Sequence, residues 1–360
     1  MKRLLLHFMG AAALCSAVLF SSCSKEEDDS LKNSNEAVEI VKKNNTAILL
    51  CSFGSTYEQP QLTYDSILAD YQRAFPNADI YMSFTSGTIV SRVYAKIGKA
   101  YAQPDVWMSA LGKAGYDSVF VQSLHIIPGE EYLGLVKTIT KKYLMTAYPN
   151  IEVATGGCLL YADDDVSQVA QVLYSYYKAR LDAGQVVAFM GHGNPDTEYV
   201  QANEKYTKLE KALQALSGKA NIFVGTVDWG EQKFSHVREG IIRFAKDNNK
   251  NYSDVIVSLT PLMSIAGDHA QNDLLGGLES GKTMADVNPY EDDEDPQFSW
   301  ILKLKKLGFQ MNAQGTTTTT SGFNVIGLGD HKSIRAIWVE HMLEARKSAI
   351  SWNQHLGVTK

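Results

Sequence analysis

The sequence predicts an α/β fold of two similar lobes, each a parallel sheet flanked by helices. Three observations carry this expectation. Short apolar runs ending at Gly, Ser or Pro alternate with longer helical stretches, the pattern of strands wrapped by helices. The order repeats, because the strand-like runs 46–53, 79–85 and 117–124 are followed in the second half by 185–190, 221–227 and 254–259. The strand ends also correspond: Cys51-Ser52-Phe53-Gly54-Ser55 matches Phe189-Met190-Gly191-His192-Gly193, and Pro128-Gly129-Glu130-Glu131 falls opposite Ala266-Gly267-Asp268-His269. A duplicated unit accounts for these matches most simply.

Along the chain, Lys2 and Arg3 precede an apolar run at 4–20, then Ser21, Ser22 and Cys23. The run is too short and too early for an ordinary membrane span, so 1–22 reads as a secretory signal ending in a lipobox. Cys23 would carry the acyl chains, anchoring an exported lipoprotein at the periplasmic face or cell surface of the outer membrane. Residues 23–45 form a polar tether, whose Glu26, Glu27, Asp28 and Asp29 resemble a lipoprotein surface-export signal. The first lobe spans 46–182: its three runs, a fourth at 151–156, and a helix over 166–181. The second spans 183–350, with an acidic insertion at about 279–321 that holds Glu291-Asp292-Asp293-Glu294-Asp295 and the threonines 316–320, both read as solvated polar connectors. A strand at 322–328 and an amphipathic helix over 333–350 finish the fold, and 351–360 is a tail.

At 360 residues the chain is long enough for one large α/β domain or for two lobes, each burying its own core. A composition 45% hydrophobic and 21% charged fits a folded, water-soluble body. The net charge of -6 and the lack of a basic run interleaved with aromatics exclude nucleic acid as a partner. A homo-oligomer is compatible with all of this. Cys51 and Cys158 either pair in a disulfide, as export would permit, or are two small buried hydrophobes. No CxxC or Cys/His knuckle suggests structural zinc.

In doubly wound sheets ligands sit outside the carboxyl ends of the strands. In the second half those ends carry His192 between two glycines, then Asp228, then His269. Two imidazoles and a carboxylate form a mixed N/O set suited to Co²⁺, Fe²⁺, Ni²⁺ or Zn²⁺.

The segments QSLHIIPGEEY (122–132), MGHGN (190–194), VGTVDWG (224–230), PLMSIAGDHAQNDL (261–274) and GLGDHKSIRAIW (327–338) resemble the anaerobic sirohydrochlorin cobalt chelatases. The resemblance implies a bilobal class II chelatase fold with a tetrapyrrole cleft between the lobes. It also implies a metal site of two histidines and a glutamate, falling here on His192, His269 and the position of Asp228. Aspartate there is a departure, and Trp229-Gly230 follows where family members have a proline nearby. On this reading His192 is proton acceptor and metal ligand, and His269 its co-ligand. Ser55, Ser86, His125, Glu130 and Glu131 line the opposing wall, although His125 in its apolar run could equally be a hydrogen-bonded core residue. The metal is a substrate and no organic cofactor is expected. Export supports a different reading: a haem-, corrinoid- or metal-binding lipoprotein used in scavenging, or a demetallating protein.

Overall fold

β1 (Thr46–Ser52) shows why its sequence reads as an unbroken apolar run: residues from Ala47 to Ser52 are all buried, as in a parallel strand covered on both faces. Ile48 and Leu50 enter one hydrophobic cluster while Ala47, Leu49 and Cys51 enter another, the two-residue alternation of a strand. In the computed structural model, which describes residues 38–195, 197–291, 297–312, 318–319, 322–323 and 325–358, this strand lies inside the first sheet. The signal 1–22, Cys23 and the tether up to residue 37 lie outside the described residues, as do 292–296 of the acidic cluster and Thr316, Thr317 and Thr320.

From β1 the chain runs through α1 (Glu58–Ala74), β2 (Ala78–Phe84), α2 (Gly87–Ile97), α3 (Pro104–Lys113) and β3 (Ser118–Ser123). The short α4 (Glu130–Leu133) runs on as a π-wound helix, Gly134–Met145, into β4 (Glu152–Gly156) and α5 (Asp163–Asp182). The second half follows with β5 (Val186–Gly191), α6 (Val200–Ser217), β6 (Ile222–Thr226), α7 (Phe234–Asp247), β7 (Ile256–Pro261), α8 (Trp300–Lys306) and β8 (Gln310–Met311). β4, β3, β1 and β2 lie side by side and parallel, and β8, β7, β5 and β6 repeat that order. The repeat inferred from strand ends is therefore a repeat of topology. Among the described residues no helix is long and apolar enough to cross a membrane.

Four features differ from the sequence expectation. The segment 279–321, expected as an acidic insertion, supplies α8, whose Trp300, Ile301 and Leu304 enter the second half's core, and β8, the strand beside β7. Each half does bury a cluster of its own, one around Leu49 and Val121 and one around Ala188 and Leu259, but a further cluster spans both, joining Ile48 and Leu50 to Val187 and Phe189 of β5 with residues of α1, α5 and α6. The expected strand at 322–328 is shorter: β10 (Gly322–Phe323) pairs with β9 (Thr318–Thr319), and a 3₁₀ turn occupies Leu328–Asp330. The carboxyl-terminal segment, expected in the second lobe, packs on the first. There α9 (Lys332–Ala345) lies against α1, where Tyr71 donates to the Trp338 carbonyl at 2.8 Å and Arg335 pairs with Asp70 at 2.5 Å. β11 (Ile350–Ser351) then adds antiparallel to β4, and α10 (Trp352–His355) follows. Amphipathic periodicity predicts such a helix but is silent on which sheet it covers. Cys51 and Cys158 are both buried and unbridged, the second of the two expectations.

Among the described residues β6 pairs only with β5, so its outer edge needs other partners. Side chains supply them. Glu210 of α6 accepts the Val224 amide at 2.6 Å, and Gln232 donates to the Val224 carbonyl at 2.7 Å. His236 of α7 closes the arrangement, its Nε2 2.9 Å from Glu210 Oε2. The Glu210 hydrogen bond raises the His236 pKa above its ordinary 6.5, against the pull of partial burial. A raised folded value means this stabilisation is complete below the unfolded pKa and lost as pH rises through the folded one. His236→Asn should therefore lower Tm more at about pH 6 than at about pH 9. Equal losses at the two pH values in thermal melts would contradict the pairing.

Candidate metal centre

His192 stands one residue beyond β5, and its two glycine neighbours have separate steric reasons. A Cβ on Gly191 would lie 2.5 Å from the Tyr206 ring. Gly193 has φ +84°, where side chains are strained, and a Cβ there would come within 2.8 Å of the Trp229 amide. The loop after β6 is tied to the same spot, with the Val227 and Asp228 amides donating to the His192 carbonyl at 3.0 and 2.9 Å. Asp228 Oδ2 thereby comes to 3.6 Å from His192 Nδ1. That nitrogen is already engaged, since it lies 2.8 Å from the Gly193 carbonyl. A carbonyl only accepts, so Nδ1 carries the hydrogen and Nε2 keeps its lone pair.

His269 begins the one-turn helix Ala270–Leu274, which places Asp273 four residues on, along the same side. Nδ1 of His269 is 2.6 Å from Asp273 Oδ2, so the carboxylate fixes the same tautomer and leaves Nε2 available. Burial disfavours the charged ring, but the Asp273 hydrogen bond, with the charges of Asp273, Asp228 and Asp268, outweighs it and raises the His269 pKa. The two rings stand edge to face with centroids 4.7 Å apart. Asp273 was not singled out from sequence, although its four-residue spacing from His269 was the available signal.

The first lobe presents a second carboxylate. Glu131, in α4, has Oε2 2.7 Å from His125 Nε2, and Thr85 donates to the same oxygen at 3.3 Å. His125 is held from behind by Ser123 Oγ, 2.9 Å from its Nδ1. Burial would raise the Glu131 pKa, but the close His125 ring, then the charge of His192 and the Thr85 hydroxyl lower it, keeping it an anion. His192 and Glu131 thus bear on each other from opposite lobes.

The remaining wall residues are engaged with backbone. Ser55, fully buried, accepts the Tyr57 amide at 3.2 Å, and Ser86 caps α2 by accepting the Ile89 amide at 3.3 Å. The Glu130 side chain is exposed while its amide donates to Asn194 Oδ1 at 3.0 Å. Among the described residues no three His, Cys, Asp or Glu side chains already form a ligand shell. His192, Asp228 and His269 do come together, as two imidazoles edge to face with a carboxylate on the Nδ1 side of one.

The family model described as cobalt chelatase (CbiK) matches residues 46–347. The sirohydrochlorin cobaltochelatase of Salmonella typhimurium is 28% identical over 305 residues, 84% of this chain and 97% of the relative. The sirohydrochlorin cobaltochelatase CbiKC of Nitratidesulfovibrio vulgaris is 29% identical over 321 residues, covering 88% and 95%. Among solved structures, SirB from Bacillus subtilis with Fe³⁺ aligns with a TM-score of 0.50 at 13% identity, over 86% of this chain and 97% of that one. That likeness speaks for the fold alone, a two-lobed chelatase-like α/β architecture.

Replacing Asp273 by Asn removes the charge that favours the His269 imidazolium. The His269 titration followed by NMR should move to lower pH in Asp273→Asn; an unmoved midpoint would mean that the contact does not set the ring's protonation.

Proposed function

The chain belongs to the cobalt chelatase (CbiK) family, and from that premise we propose that it inserts Co²⁺ into sirohydrochlorin or a related porphyrinoid, with Fe²⁺, Ni²⁺ or Zn²⁺ as alternative substrates. The observation that carries the reading is the pair of imidazoles at adjacent strand ends, each with Nδ1 engaged and, among the described residues, no protein partner on Nε2.

Metal insertion into a free-base macrocycle exchanges two pyrrole N–H protons for one divalent cation. The site must therefore hold a metal weakly enough to release it and must accept protons as the metal leaves. An imidazole nitrogen serves both needs, because the lone pair that binds the cation becomes the base once it departs. His269 suits the acceptor role, since Asp273, Asp228 and Asp268 favour its charged form. His192 supplies the second Nε2.

For the carboxylate ligand we favour Glu131 over Asp228. Asp228 lies on the Nδ1 side of His192, where the Gly193 carbonyl is already bonded, whereas a metal on Nε2 would be across the ring. Glu131 is anionic and half-buried, and it interacts electrostatically with His192. Asp228 then acts as a nearby negative charge on both rings.

The export signal supports a second reading, a lipid-anchored binding protein that captures haem, a corrinoid or metal with little turnover, or that removes the metal from a scavenged porphyrin. The anchor through Cys23 is common to both readings; incorporation of labelled palmitate should disappear in Cys23→Ala.

Full-length protein in detergent micelles, mixed with excess sirohydrochlorin and Co²⁺, should give a continuing absorbance change. His192→Ala should slow it by at least ~100-fold. A change that stops after one equivalent per chain would replace the enzyme by the carrier. Glu131→Gln should weaken Co²⁺ binding by roughly 10-fold or more, and Asp228→Asn by less; the reverse ranking would return the ligand role to Asp228.

A further inference from the structure

We propose that Asn194 is a positioning residue that sets, across the cleft, the spacing between the His192 imidazole and the Glu131 carboxylate. The inference rests on the reading of those two side chains as metal ligands. They come from different lobes, so something must fix the gap between the loop after β5 and the start of α4.

Asn194 touches both sides of that gap. Its Nδ2 donates to the Gly193 carbonyl at 2.8 Å, the same oxygen that lies 2.8 Å from His192 Nδ1 and sets that ring's tautomer. Its Oδ1 accepts the backbone amide of Glu130 at 3.0 Å, one residue before Glu131. A primary amide has a donor end and an acceptor end held in one plane, and here each end meets the complementary group.

Asn194 is itself fixed from behind. Its amide donates to Asn203 Oδ1 at 2.9 Å and its carbonyl accepts from Asn203 Nδ2 at 2.8 Å, a reciprocal pair with a fully buried side chain of α6. The opposing lobe is shaped to receive it, since a Cβ on Gly129 would stand 2.0 Å from Asn194 Oδ1, so only glycine permits this approach. An imidazole, a carbonyl, an amide side chain and a helix start thus form one hydrogen-bonded line from His192 to the peptide beside Glu131. Small displacements of a ligand matter because metal affinity depends on simultaneous engagement of all donors.

The test titrates Co²⁺ chloride alone into full-length protein in detergent micelles, by calorimetry, for Asn194→Ala, Gly129→Ala, Glu131→Gln, His192→Ala and the doubles of the first two with Glu131→Gln. Both Asn194→Ala and Gly129→Ala should weaken Co²⁺ binding by ~10-fold, and each loss should shrink to within about twofold in the Glu131→Gln background, because the contact acts through Glu131. Gly129→Ala perturbs the contact from the other lobe and keeps the test decisive should Asn194→Ala fail to fold, as circular dichroism would show. Unchanged affinity in both single variants, or the same loss with and without Glu131, overturns the positioning role. Unchanged affinity in both Glu131→Gln and His192→Ala overturns the ligand assignment and, with it, this inference. Weakening in those two alone leaves the ligand assignment standing and removes only Asn194.

Discussion

The apolar layer shared by the two sheets is the constraint on which the rest of the structure depends. Ile48 and Leu50 from β1, Val187 and Phe189 from β5, and residues of α1, α5, α6 and α9 belong to one buried cluster. Each large side chain placed there contributes roughly 1.5–3 kcal/mol, against roughly 1 kcal/mol for a hydrogen bond. Apolar packing therefore holds the lobes together, and polar contacts such as Asn194 with Glu130 refine their separation. Across that layer, loops distant in sequence meet, as where Asn194 after β5 accepts the Glu130 amide at the start of α4.

Within the site, chemistry is decided by what occupies the unused nitrogen of each histidine. A backbone carbonyl takes Nδ1 of His192 and a carboxylate takes Nδ1 of His269. The two partners give the same tautomer but different charge environments, since only His269 has an anion bonded directly to its ring. That asymmetry suits a site asked both to coordinate a cation and to receive protons. In the first half, His125 and Thr85 hold Glu131 as an anion against its partial burial.

The carboxyl-terminal return adds a second tie between the lobes. After leaving the second sheet the chain crosses back, buries Trp338 completely and ends by extending the first sheet through β11. His341 Nε2 lies 3.0 Å from Asp165 Oδ1, joining α9 to the start of α5. The two halves are thus joined by this returning segment as well as by the shared apolar cluster.

Much of this was legible in the order of residues because strand and helix periodicity are local. The apolar runs located β1 to β3 and β5 to β7 within a residue or two, and glycines around a histidine at a strand end marked His192. The motifs at 122–132, 190–194 and 261–274 point to the chelatase family from residue order alone. What the sequence left open is whatever depends on distance between segments. The partner of α9, the common core, the side of His192 on which Asp228 sits and the approach of Gly129 to Asn194 are set by packing across the fold. A hydrogen bond or a ligand set requires atoms within a few ångströms, and for residues far apart along the chain only the tertiary structure determines that distance.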